Sequence, residues 1–341
     1  MTSQILQSPS GRELLEREMA RQHADALASL RSNSGMAQRV AASVAKTGKL
    51  LTLGMGASHY ANRIAEPLYR RLGIEAWASA AADCLQSQLP PASRTVMIVS
   101  QSGESGEVPE LLGEFARAEH SFGMTLDPSS TLGRSLPCLI GAGGSEIAFA
   151  ATRSLTVTLA LHVAVLSAIG NRDDGVAASL ENPTTASIDE ALDTLADKRT
   201  IVVSGSGVFR GLAETSALML TELARMPALG FELGQFRHGP LELLSPDIGV
   251  VLLRSTEGNE ATIQNVSQAV TGAGSTPVVF DCSGERPIAG ALTIAFPARQ
   301  GLGAVLAILP SLQRLIIEIA GRKIERVGEP VRSTKITRAA S

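Results

Sequence analysis

The chain repeats its own plan. "KLLTLGMGASHYANRIAEPLYRRLG" (49–73) and "RTIVVSGSGVFRGLAETSALMLTELARM" (199–226) each read as an apolar strand, a glycine turn and a helix. Gly54-x-Gly56 and Gly205-x-Gly207 stand 151 residues apart. The segments downstream of the two units also match. "TVMIVS" (95–100) and "IGVVLLR" (248–254) are apolar strands, each leading into a polar, glycine-containing loop and then a helical pattern, the first near 106–119. "SFGMTL" (121–126) and "LPCLIGA" (136–142) are short strands, as are "TPVVFD" (276–281) and "LTIAFP" (292–297). Long apolar helices over 148–170 and 301–321 close the two halves. A repeated series of βα units predicts parallel sheets with helices on both faces.

The pieces outside the repeat are polar. Leu14, Leu15 and Met19 recur at helical spacing, which predicts one amphipathic helix over 10–32, with Glu13 placed to pair with Arg17 four residues on. "NRDDGVAASLENPTTAS" (171–187) contains Pro183 and reads as the linker between the halves. Hydrophobic residues are 44% of the chain but aromatics only 3%, so the core must be aliphatic.

Several function classes lose support at this point. Thirty Lys and Arg against 33 Asp and Glu, a formal charge of −3, give no electrostatic reason to expect nucleic acid. Cys84, Cys138 and Cys282 lie far apart, with neither metal spacing nor a disulfide framework, and no metal or cofactor is expected. The polar N-terminus lacks the apolar stretch of a signal peptide, so the expectation is a cytoplasmic protein. The apolar run 301–321 is interrupted by Gln313, Arg314 and Glu318, which favours a buried helix over a membrane span.

Ligands of open α/β sheets bind beyond the carboxyl ends of the strands. Both glycine turns and "VSQSGESGEV" (99–108) fall there. The loop's glycines admit close backbone approach and its serines add hydroxyl donors, as an anion cradle needs; a plain capping turn would use the same residues. Neither glycine turn has the third glycine of a dinucleotide fingerprint, since position 59 is His and position 210 is Arg. In "ETSALMLTELARM" (214–226), Thr215, Met219, Glu222 and Met226 share one helix face. Glu222 is then either a carboxylate in apolar company, with the raised pKa of a general base, or a solvated residue at the stripe's edge. His238 precedes Gly239 and Pro240, which end any regular structure, and a loop histidine there can move protons or be incidental.

"GMGAS", "VSQSGESGEV" and "GSEIAFAATRS", in that order, resemble the sugar isomerase (SIS) domain, as found in the isomerase half of glucosamine-6-phosphate synthase. The resemblance covers the chain from about residue 45 onward. It implies two tandem SIS domains, each a three-layer αβα unit with a flavodoxin-like parallel sheet. The implied divisions are an N-terminal helical segment (1–45), a first SIS domain (46–171) holding the sugar phosphate, a linker (172–197), a second SIS domain (198–327) and a catalytic tail (328–341). Ser58, Ser100, Gln101, Ser102 and Ser105 become the phosphate-binding set. Glu222 becomes the base that moves a proton between C1 and C2, and His238 of "GQFRHGPLELL" the group that opens the sugar ring. Lys335 of "GEPVRSTKITRAAS" becomes the lysine over the sugar, which forms a Schiff base or stabilises the open chain. A homodimer is implied, because the family's histidine loop commonly comes from the neighbouring subunit.

The chain also departs from the family. Ala57 stands where Thr is common, "AFAATR" (148–153) replaces G-V-A-S-T-K, and Met219 and Thr221 replace lysines. Position 2 is Thr rather than the amidotransferase cysteine, so no glutaminase activity is expected. The implied activity is an aldose–ketose isomerase or deaminase acting on a 6-phosphosugar, most readily an amino sugar phosphate. A fructosamine-6-phosphate deglycase and a non-catalytic phosphosugar-binding regulator are the alternatives.

Overall fold

The computed structural model describes residues 8–87, 93–258 and 260–338. Its first helix, α1 (Gly11–Ser32), opens on a capping box: the Ser10 side chain accepts from Glu13 N, and the Glu13 carboxylate accepts from Ser10 N at 2.8 Å. Glu13 therefore turns back to the cap rather than forward to Arg17. A second helix, α2 (Ser34–Thr47), follows at once, where the sequence pattern predicts a single helix. It buries Ala37, Val40, Ala41 and Val44 and stops at Gly48. Both helices pack on the long apolar helix of the first half.

The first half then runs β1 (Lys49–Gly54), α3 (Gly56–Arg71), β2 (Glu75–Ala80), α4 (Ala81–Ser87), β3 (Thr95–Val99), α5 (Val108–Phe115), β4 (Ser121–Thr125), α6 (Thr131–Ser135), β5 (Cys138–Ile140) and α7 (Arg153–Ile169). The segment expected to be a linker holds two helices, α8 (Asp174–Glu181) and α9 (Asp189–Leu195), which pack on the last helix of the chain. The second half runs β6 (Thr200–Gly205), α10 (Val208–Ala224), β7 (Ala228–Glu232), α11 (Leu233–Arg237), a 3-10 turn (Pro240–Leu243), β8 (Ile248–Ser255), α12 (Glu260–Gly272), β9 (Val278–Cys282), β10 (Leu292–Ala295) and α13 (Gly301–Lys323).

The two sheets have the same winding. The first has the order β2-β1-β3-β4-β5, the second β7-β6-β8-β9-β10, and the strand pairs are parallel. This is the flavodoxin-like order, whose direction reverses between the first and third strands. Strands β3, β4, β8 and β9 are buried along their whole length, as parallel strands covered on both faces should be.

One aliphatic core joins the halves. Helix α7 is buried on every side from Arg153 to Leu166, which explains why it is apolar all round. Helix α13 is long and apolar enough to cross a membrane, yet 83% of its most apolar stretch is buried inside the protein. Helix α10 of the second half lies against α3 of the first. Gly211 makes that approach possible, because a Cβ there would come within 2.6 Å of Ile64 N. A bidentate Arg63–Glu214 pair, 2.5 Å at each contact, ties the same two helices. The α10–α3 crossing carries the far end of α10 over the carboxyl end of the first sheet, and that sets up the site.

Candidate active site

The first sheet's switch point lies between β1 and β3. After β1 the chain turns through Met55 into α3, which has no side-chain cap, so the start of this helix leaves amides at Gly56 and Ala57 on the wall of a cleft. Ser58 stands on its first turn. After β3 the serine loop folds back on itself. Gly103 has φ +64°, and a Cβ there would fall 2.0 Å from Ser130 Oγ, so only glycine fits. The Glu104 carboxylate anchors the loop from behind, accepting from Thr131 N at 2.6 Å and Thr131 Oγ1 at 2.9 Å. Gln101 O accepts from Leu126 N at 2.9 Å and Thr125 Oγ1 at 3.1 Å.

These bonds present Gln101, Ser102 and Ser105, with Ser58 opposite, to a cleft of about 320 Å³. Ser100 is not on its wall. It is buried behind the loop, where its hydroxyl accepts from Gly103 N at 3.2 Å and bonds Ser105 Oγ at 3.0 Å. Its place is to shape the loop and orient Ser105.

The opposite wall comes from the second half and the tail. Glu222, in the last turn of α10, lines the cleft. Of the two readings, the apolar one fits its surroundings: Thr215 and Met219 on α10, and Met226 just past its end, are all in the interior. Burial pushes the Glu222 carboxyl up to about 7; Lys335 opposes this and Glu146 adds to it. Lys335 reaches the cleft from the C-terminal tail, which crosses the mouth as irregular chain. The tail is pinned where Gly106 N donates to Thr337 O at 3.0 Å and where Arg225 donates to Glu329 O at 2.9 Å.

His238 is not part of this cleft. It is exposed at the end of α11, outside the lining of its own chain's site. Met219 is buried beneath the wall and Thr221 bonds Ala217 O, so neither position faces the cleft. Arg153 points the other way altogether. It is fully buried and pairs with Glu18 at 2.5 Å and Asp25 at 3.3 Å, fastening α1 to the start of α7. Ala57 and Ala151, by contrast, do line the cleft, beside Met55 and Phe149.

Glu146 lies in the "GSEIAFAATRS" motif, but the residues around it do not mark it as a site residue. In the fold it is buried on the cleft wall, 3.0 Å from Lys335 Nζ. Burial alone would raise its pKa, but Lys335 and the hydroxyls of Ser154 and Thr152 hold it below the ordinary value. Among the described residues, Glu146, Glu222 and Lys335 line one cleft wall, and a cradle of hydroxyls and amides, with Glu107 beside it, lines the other. That arrangement can hold an anion at one end and move a proton at the other.

The corresponding place in the second sheet is closed. The turn after β6 and the loop after β8 enclose only about 30 Å³, with Glu257 on the lining. One Glu257 oxygen accepts from Gly301 N at 3.2 Å and the other from Arg71.

Comparison with known proteins agrees with this architecture. Residues 194–311 match the SIS domain. An isomerizing glutamine–fructose-6-phosphate aminotransferase of Gloeobacter violaceus is 31% identical over 246 residues, 65% of this chain and 40% of that protein. The chain thus spans well under half the length of the curated relatives it matches. The C-terminal domain of glucosamine-fructose-6-phosphate aminotransferase from Francisella tularensis superimposes with a TM-score of 0.77 at 17% identity, covering 91% of this chain and 96% of that one. Tagatose-6-phosphate ketose/aldose isomerase from Escherichia coli gives 0.76 at 19% identity, covering 94% and 97%. The fold is shared with these structures.

Proposed function

We propose that this chain is a phosphosugar isomerase or deaminase built from two tandem SIS domains, acting on a 6-phosphosugar and most readily an amino sugar phosphate. The repeated strand order in both halves supports the tandem reading. The observation that carries the function is Glu222: a carboxyl titrating near neutrality, across one cleft from a cradle of amides and serine hydroxyls.

The chemistry follows from that placement. The sugar phosphate sits against Ser58, Gln101, Ser102 and Ser105 and the start of α3, where hydroxyl and amide donors meet a helix N-terminus. Anchoring there holds C1 and C2 of the open chain at the far wall, so remote binding energy orients the reacting carbons. Glu222 takes the C2 proton of the aldehyde form and returns it to C1, while the C1 oxygen gains the proton that the C2 hydroxyl or amine gives up. The Lys335 ammonium stabilises the negative charge that develops on oxygen between those steps. For a 2-amino sugar the product is a ketimine; water adds at C2, the C–N bond breaks and ammonia leaves with a proton. Positioned general base catalysis supplies on the order of 10²–10⁴-fold.

His238 opens the ring in this reading and does so from a second copy of the chain, since it lies outside its own cleft. Mixing Glu222→Gln with His238→Asn protein tests this: a heterodimer rebuilds one complete site from the two intact side chains. Recovered turnover supports the shared site, and a mixture as inactive as its components refutes it. The activity itself is tested with glucosamine 6-phosphate and fructose 6-phosphate, following ammonia release and exchange of the C2 or C1 hydrogen with deuterated water. Tight binding of both without any exchange would make the chain a phosphosugar-binding module instead.

A further inference from the structure

Glu146 is held by a dense set of bonds. Its carboxylate accepts from Thr152 N at 3.0 Å, Thr152 Oγ1 at 2.8 Å, Ser154 N at 3.4 Å and Ser154 Oγ, all at the start of α7. The loop that carries it is stapled to α1: Ser29 Oγ accepts from Ala142 N at 2.8 Å, and Glu18 accepts from Ile147 N at 2.9 Å. Arg153 donates to Gly144 O at 2.8 Å.

Lys335 has none of this support. It sits on irregular chain, and its ammonium has one hydrogen-bond partner among the described residues, Glu146 at 3.0 Å. Glu222 lines the same cleft and, among the described residues, its carboxylate accepts no hydrogen bond. Two carboxylates thus share one cation on a tail pinned at Glu329 and Thr337 on either side of it, and the more densely bonded carboxylate holds it.

We propose that Glu146 is a positioning residue: it docks the C-terminal tail through Lys335 and keeps that ammonium from closing on Glu222, so the base stays unpaired and the cation stays over the cleft. This rests on reading Glu222 as the base. Among the described residues, the groups whose charge acts on Glu222 or feels it are Lys335 on the tail, Glu146 on the 142–152 loop and Tyr60 on α3, and Glu107 lines the same cleft. Replacing Glu146 with a neutral group removes one negative neighbour and frees Lys335 to pair with Glu222. Both changes favour the Glu222 carboxylate. Replacing Lys335 removes the positive neighbour and disfavours it. The two variants must therefore move Glu222 in opposite directions, which a merely structural role would not do.

The test uses the full chain with Glu146→Gln, Glu146→Asp and Lys335→Met. Glu222 is titrated by carboxyl carbon NMR, its signal assigned by loss in Glu222→Gln, so no substrate is needed. Hydrogen exchange of residues 329–337 reports tail docking. Glu146→Gln should lower the Glu222 midpoint by about one pH unit and Lys335→Met should raise it, both with faster tail exchange, while Glu146→Asp restores part of the tail protection. With glucosamine 6-phosphate as probe, the acidic limb of kcat/KM should follow the same opposite shifts. Shifts of one sign in both variants, or an unchanged tail, overturn the proposal. If Glu146→Gln does not fold, Lys335→Met alone decides by the sign of its shift and by its tail exchange. If the titrations shift as stated but no phosphosugar turns over, the catalytic reading fails and the positioning role stands.

Discussion

Glu222→Gln should stabilise this protein above neutral pH while abolishing its turnover. In the unfolded chain the carboxyl titrates at 4.5, in the fold at about 7. The folded protein therefore binds the proton more tightly than the unfolded one between these values. Stability attributable to this group falls as pH rises through that window and stays low above it. The gap of roughly 2.5 units corresponds to about 3 kcal/mol of strain at about pH 8, and to about 1 kcal/mol at about pH 5, where the folded group is still protonated. Glutamine keeps the shape and cannot ionise. Urea unfolding of the wild type and the variant at both pH values should give a stabilisation about 2 kcal/mol larger at the higher pH. The variant should show no hydrogen exchange on the substrate, where the wild type exchanges. A stabilisation that does not change with pH would mean that Glu222 is not strained by burial, and the case for its role as a base would go with it.

Three other outcomes follow from the geometry. The kcat/KM profile should rise with pH through about 7 as Glu222 loses its proton, and a flat profile between pH 5 and 8 would exclude it as the base. Replacing both Ser102 and Ser105 by Ala should weaken phosphosugar binding by about 1–3 kcal/mol, measured by calorimetry with fructose 6-phosphate, with the Ser102→Ala, Ser105→Ala protein still folded; an unchanged affinity would make the loop a capping turn. Arg153→Met should cost about 3–5 kcal/mol of stability, because it leaves the buried Glu18 carboxylate unpaired, yet should leave KM within about twofold where the protein folds; a KM effect out of proportion would make Arg153 a ligand contact after all.

The repeat is plain in the sequence because central parallel strands are continuous apolar runs. Strands β2 and β7 are not, and they are the same strand in both halves, at the edge beside the first. "EAWASA" leaves Trp77 about half exposed, and every residue of "ALGFE" is only half buried. An edge strand has neither the apolar run nor a clean alternation to declare it. Helix α2 does have a signal, in the spacing of Ala37, Val40, Ala41 and Val44 before Gly48. Ser102, Ser105 and Glu222 can be placed from local context, since each lies at the end of a recognisable strand or helix. Glu146 cannot, because the start of α7 and the tail converge on its oxygen pair while α1 braces its loop. Arg153 looks like a substitution in the binding site for the same reason: its direction depends on where α1 docks.

Glu257, on the loop after β8, caps the start of α13 and pairs with Arg71. It places a negative charge between a strand end, a helix start and Arg71, and it does so covalently, at a concentration no change in solute can alter. If the first half's cleft takes the sugar phosphate as proposed, ligand should saturate at one for every two sheets, and the second half then serves the first by lending it α10 and Glu222.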